Sequence, residues 1–78
     1  MKELVEYLAK ALVDAPEQVH VTEVVTGPDV LLELRVAQPD MGRIIGKNGK
    51  VINAMRALVQ ACGVREAKRA QLELVEDD

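Results

Sequence analysis

Met1, Leu4, Val5, Leu8, Ala11 and Leu12 recur at the i, i+3, i+4, i+7 spacing of one helical face, with Lys2, Glu3, Glu6 and Lys10 on the other. This pattern predicts a first helix. Asp14-Ala15-Pro16 ends it, because proline disfavours helical geometry at the residue before it and has no amide for the helical ladder. From Val19 to Thr26 the β-branched residues Val19, Val21, Thr22, Val24, Val25 and Thr26 favour an extended chain, and Gly27-Pro28-Asp29 supplies turn chemistry. Val30, Leu32, Leu34 and Val36 then alternate with Leu31, Glu33 and Arg35, giving a second strand with one apolar face. Helix, strand, turn and strand read as a helix followed by a hairpin.

Gln38-Pro39-Asp40 breaks the second strand, and Asp40 is placed to accept from the free amides of a following helix as its N-cap. Met41–Ile45 is about one turn of helix, closed by Gly46. After Gly49 the helical period returns: Val51, Ile52, Met55, Leu58, Val59 and Cys62 form a stripe, with Asn53, Arg56 and Gln60 elsewhere and Gly63 as the expected stop. Val64 to Arg69 is charged and irregular. Ala70, Leu72 and Leu74 alternate with Gln71, Glu73 and Val75 as a third strand, before a solvated acidic tail, Glu76-Asp77-Asp78. The order α-β-β-α-α-β, without repeat or linker, predicts one α+β domain over residues 1–78: two layers, a three-stranded sheet covered on one face by three helices.

Composition narrows the function classes. With 49% hydrophobic residues, 78 residues suffice for one small core. Phe and Trp are absent and Tyr7 is the only aromatic side chain, which disfavours recognition by base stacking on aromatic rings. One cysteine and one histidine supply neither an internal disulfide nor a four-ligand zinc site, so no metal or cofactor is expected. No apolar run approaches the length of a membrane span and the N-terminus runs straight into an amphipathic segment, so the expected location is the cytoplasm. Serine is absent and no second histidine is available to complete a nucleophile–base pair, so an enzyme and a small-molecule substrate are not expected. Cys62 reads as a small core residue on its helical stripe, and His20 as a surface or edge residue of the first strand.

The formal net charge of −3 conceals a polarised chain. Residues 1–40 hold three basic and eight acidic side chains, whereas residues 41–69 hold Arg43, Lys47, Lys50, Arg56, Arg65, Lys68 and Arg69 against Glu66 alone. An anion belongs in that basic third. Within it, Gly46-Lys47-Asn48-Gly49 joins the short helix to the long one. A Gly-x-x-Gly alone means little: at about 7% glycine, on the order of one chain in three of this length contains one by chance. Its setting gives it content. Glycine permits a tight turn, the first amides of the long helix lack intrahelical partners, and the positive end of the helix dipole favours phosphate. Lys47, Asn48 and Lys50 can then hold a sugar-phosphate backbone, and Ile44, Ile45 and Ile52 can give bases an apolar floor without aromatics. A nucleotide-binding phosphate loop does not fit: the Gly42 to Gly46-Lys47 spacing is one residue short, Asn48 stands where a magnesium-holding hydroxyl is needed, and a helix rather than a strand precedes the loop.

Gly42-Arg43-Ile44-Ile45-Gly46-Lys47-Asn48-Gly49-Lys50-x-Ile52 resembles the core signature of the KH domain, and the element order resembles the type II, bacterial form of that fold. The resemblance covers essentially the whole chain and extends to the small stand-alone bacterial KH proteins of the KhpA type. It implies a cytoplasmic protein whose GxxG loop grips about four nucleotides of single-stranded RNA, serving post-transcriptional regulation or RNA chaperoning. On the matching positions it implies Gly46 and Gly49 as loop glycines, Lys47 and Asn48 as the variable pair between them, and Ile44, Ile45 and Ile52 as residues lining the groove or packing beneath it. Arg65, Lys68 and Arg69 fall in the segment matched to the variable loop on the groove's other rim, and Arg43, Lys50 and Arg56 flank the GxxG turn. The alternative reading is a protein-interaction module that dimerises with itself or with a larger KH protein of the KhpB type, with RNA binding secondary.

Overall fold

The structure, a computed structural model, describes residues 1–76, so Asp77 and Asp78 of the expected tail lie outside the described residues. Helix α1 (Lys2–Leu12) buries Val5 and Ala9. Its apolar stripe is narrower than the spacing predicts, for Ala11 and Leu12 are exposed and Leu4 and Leu8 half-buried. Val13 leaves the helix in an extended conformation, and Pro16 opens a 3₁₀ turn over Pro16–Gln18.

Strands β1 (His20–Thr26) and β2 (Asp29–Arg35) form the expected antiparallel hairpin, in unbroken register from His20 opposite Arg35 to Thr26 opposite Asp29. Gly27, at φ +59, makes the turn. Strand β2 alternates as its sequence requires, with Val30, Leu32 and Leu34 buried. In β1 only Val21 is buried, and Val24 and Val25 on opposite faces are both exposed. Their β-branched chemistry favours the strand, but at the sheet's edge no helix covers them.

Helix α2 (Met41–Ile45), a 3₁₀ turn over Lys47–Gly49 and helix α3 (Lys50–Arg65) form the crossover that a parallel strand pair demands. Strand β3 (Arg69–Leu74) then pairs parallel with β2, from Asp29 opposite Arg69 to Leu34 opposite Leu74, and the sheet order is β1-β2-β3. The α+β architecture and the order α-β-β-α-α-β are those the sequence predicts. A single cluster fills the space between helices and sheet, with Val5, Leu32, Leu34, Ile44 and Val59 at its centre.

Two local expectations are overturned. Asp40 stands where an N-cap should, but its side chain makes no cap hydrogen bond to α2. Its buried carboxylate instead accepts from the backbone N–H groups of Asp14 and Ala15, both at 3.1 Å, and so ties the α1–β1 connection to the start of α2. Gly63 does not stop α3, which continues through Arg65. A Cβ at Gly63 would stand 2.8 Å from the Lys68 carbonyl oxygen and 2.9 Å from Ala70 Cβ, so this glycine lets α3 lie close to β3. The true stop is a Schellman motif: Lys68 N–H donates to Gly63 O at 2.8 Å and Ala67 N–H to Val64 O at 3.2 Å, with Ala67 left-handed at φ +56 where glycine is usual.

Candidate nucleic-acid interface

Between α2 and α3 the backbone takes a left-handed course that few residues tolerate. Gly46 has φ 74 and ψ 176, Asn48 φ 58 and ψ 27, and Gly49 φ 76 and ψ 12. Glycine enters these regions freely and Asn better than most other residues, so the order Gly-Lys-Asn-Gly places its permissive residues where the turn needs them. The turn is closed by its own backbone: Gly46 N–H donates to Gly42 O at 2.9 Å, Gly49 N–H to Gly46 O at 3.2 Å, and Lys50 N–H to Lys47 O. The two glycines differ in kind. A Cβ on Gly46 would overlap the Val51 side chain, whereas one on Gly49 would meet only Asn53 Nδ2 at 3.5 Å.

Gly49 is the N-cap of α3 and supplies no side-chain acceptor, and the first turn of α3 contains no acid. No side chain therefore offsets the partial positive charge at the helix start, a condition that favours an anion. Lys47, Asn48 and Lys50 are all exposed around it. Along α2, Ile44 points into the core, so at roughly 100° per residue Gly42 faces outward, with Arg43 on one flank and Ile45 on the other. Of the three isoleucines, Ile44 is 0% and Ile52 5% exposed, so they hold the loop from beneath and offer no surface to a base; Ile45, at 40%, is the one that does.

Tertiary contacts sort the basic residues. Arg43 Nη2 lies 2.9 Å from Asp14 Oδ2, and its Nε 3.6 Å from Asp40 Oδ1. Arg56 reaches across to β3, where its Nε donates to Leu72 O at 3.2 Å, while its Nη1 donates to Asn53 Oδ1 at 3.3 Å. This guanidinium occupies a carbonyl on the open edge of the sheet. Arg69 binds both oxygens of Asp29, at 2.7 and 3.1 Å, and its N–H donates to Pro28 O at 2.8 Å, clamping the α3–β3 connection to the β1–β2 turn.

Arg65, Lys68 and Arg69 do not border the GxxG turn. Arg65 is the last residue of α3, roughly 22 Å from Lys50 at 1.5 Å per residue, and Lys68 and Arg69 follow it into β3. There Lys68 and Arg69, with Gln60, Val64, Ala70 and Gln71, line a hollow of about 300 Å³. A strand touching both regions must run the length of α3.

Sequence reasoning missed Asp14 and Asp40. An aspartate after a helix and another before one carry no local mark of being joined to one arginine, because Asp14 and Arg43 meet only through the fold. Among the described residues no group of three or more His, Cys, Asp and Glu is arranged to hold a metal, and no helix is long and apolar enough to cross a membrane.

No solved structure matches this chain. It is 48% identical to the RNA-binding protein KhpA of Clostridium perfringens over 75 residues, 96% of this chain and all of that protein. It is 44% identical to the RNA-binding protein KhpA of Chlamydia caviae over 77 residues, 99% of each chain, and 39% identical to that of Borreliella burgdorferi over 74 residues, 95% of this chain and 90% of the other. The family model described as the KhpA/KhpB KH domain matches residues 2–74, from the start of α1 to the end of β3 and including the whole left-handed loop. On that match and those relatives, the chain belongs to the KhpA/KhpB family of KH-domain proteins.

Proposed function

We propose that the chain binds short single-stranded RNA by gripping its sugar-phosphate backbone at the Gly46–Gly49 turn, without catalysing a reaction on it. One observation carries this reading: the first turn of α3 has neither a side-chain cap nor an acid and follows a glycine-bracketed turn, ringed by Lys47, Asn48 and Lys50. A phosphate there receives helix amides and dipole together with the two lysines. Ile45 offers the apolar contact for a base, with Ile44 and Ile52 as support below. Arg43 and Arg56 border the grip while holding structural partners of their own. Arg65 and Lys68, with Arg69 pinned beside them, form a second basic region at the far end of α3 that a longer strand would reach.

Such a binder, acting in the cytoplasm in post-transcriptional regulation or as an RNA chaperone, suits a chain whose relatives are named RNA-binding proteins. Fluorescence anisotropy with a short labelled single-stranded RNA tests the grip. Replacing Lys47 and Asn48 with Asp is expected to abolish binding with an unchanged circular dichroism spectrum, since aspartate tolerates the left-handed conformation of Asn48. With about three phosphates held, log affinity should fall against log salt with a slope of about −2. Binding that survives the double change rules out the loop as the grip.

Pairing with a second KH chain, a copy of this one or a KhpB-type protein, would bring two loops onto one RNA and raise avidity. Leu58 and Val64 of α3 are exposed and available to such a contact. Sedimentation with and without RNA tests it: a strict monomer that binds RNA tightly removes the need for a partner.

A further inference from the structure

The guanidinium of Arg43 faces two carboxylates of different standing. Asp40 is 3% exposed at its side chain, and both its oxygens are committed to the Asp14 and Ala15 amides, so it is a fixed part of the fold. Asp14 is 75% exposed, and among the described residues its carboxylate meets only Arg43, at 2.9 Å. Its backbone N–H, not its carboxylate, ties it to Asp40. The carboxylate therefore rests on Arg43 in solvent, as a pair that water and salt weaken. Arg43 itself is 55% exposed and stands one turn before Gly46, on the outward flank of α2. A phosphate diester presents the same paired oxygens to a guanidinium as a carboxylate does and binds it as well or better.

We propose that Asp14 is an internal competitor for RNA at this site: its carboxylate occupies the position on Arg43 that a backbone phosphate takes, so binding exchanges one anion for another and the affinity of the loop is held down. This rests on the RNA reading of the GxxG turn. The fold supplies the device through Asp40, which fixes the amides of Asp14 and Ala15 against the start of α2 and thereby keeps the Asp14 carboxylate within reach of the arginine. The exchange is asymmetric by construction, because displacing Asp14 costs an exposed ion pair whereas displacing Asp40 would strand two amides.

The test compares wild type, Asp14→Asn, Arg43→Gln and the double variant in anisotropy titrations with a short single-stranded RNA of mixed sequence, over a range of salt. Glu17→Gln, an exposed neutralisation three residues from Asp14, controls for net charge. Asp14→Asn keeps the backbone contacts to Asp40 and is expected to tighten binding by up to about five-fold at low salt, the range of an exposed ion pair. It should also steepen the log–log salt slope by up to about 0.7, because Arg43 then meets its phosphate without first giving up a carboxylate. In the Arg43→Gln background the same change should do no more than Glu17→Gln does. Equal effects of Asp14→Asn and Glu17→Gln, or an Asp14→Asn gain that persists without Arg43, overturn the competitor while leaving the grip intact. Wild type that binds no RNA, or a Lys47→Asp/Asn48→Asp variant that still binds it, overturns the RNA reading and the competitor with it.

Discussion

The two glycines of the loop are equivalent in the sequence motif and unequal in the fold, and that inequality can be measured. Alanine at Gly49 must enter the left-handed region at φ 76 and ψ 12, where its Cβ finds ordinary space 3.5 Å from Asn53 Nδ2. The cost is that of one left-handed alanine, about 1 kcal/mol after allowing for the smaller entropy of the unfolded alanine chain. Alanine at Gly46 must hold φ 74 with ψ 176, a region essentially confined to glycine and costing about 1–3 kcal/mol for other residues. Its Cβ would also stand 2.8 Å from Val51 Cβ and closer still to a Val51 methyl, forcing the start of α3 to move, for a further cost of about 1–3 kcal/mol. The sum is about 2–6 kcal/mol against about 1. At about 4–8 °C per kcal/mol for a domain of this size, thermal melts by circular dichroism should place Gly46→Ala below Gly49→Ala by at least about 4 °C. Adding Val51→Ala should return part of the loss at Gly46 and none at Gly49, a coupling of about 1 kcal/mol. Equal melting temperatures for Gly46→Ala and Gly49→Ala would refute the steric argument, and equal rescue by Val51→Ala would refute the assignment of the overlap.

Other outcomes follow from single contacts. Ala67→Gly relieves a left-handed alanine at the Schellman stop and should raise stability by about 1 kcal/mol, whereas Gly63→Ala, four residues earlier, should lower it by about 1–3 kcal/mol because its Cβ meets β3; urea melts of both variants check the opposite signs. Asp40→Ala removes the acceptor of two backbone amides and should cost about 1.5–3 kcal/mol, with hydrogen exchange at Asp14 and Ala15 faster than the global loss requires. Unchanged exchange at those amides would contradict the role given to Asp40.

Where the sequence was misleading, it was so for a common reason: a local signal has more than one physical use. Asp40 before a helix is the mark of an N-cap, and Gly63 after an apolar stripe is the mark of a stop. Each was taken over by a partner distant in sequence, the α1–β1 connection for one and strand β3 for the other. The β-branched run of β1 was legible as a strand, but not as one whose outer half lies open at the sheet edge. Arg56 and Arg69 carry a positive charge that any census counts, yet each guanidinium already has an acceptor of its own, on Leu72 and on Asp29.

By itself the sequence determined the α-β-β-α-α-β order, the hairpin, the long α3 and the basic GxxG turn, because each depends on periods of two or 3.6 residues, on turn chemistry and on glycine's backbone freedom, all of which act between near neighbours. Only the tertiary structure decided which isoleucine of three meets solvent, which glycine is pinned by a neighbour's side chain, and which arginines are engaged. It also decided that Arg65, Lys68 and Arg69 stand a helix length away from the loop with which composition groups them. Burial and charge pairing are properties of surfaces brought together by folding, and no spacing along the chain records how far a covering helix reaches or whose carboxylate arrives from the other side.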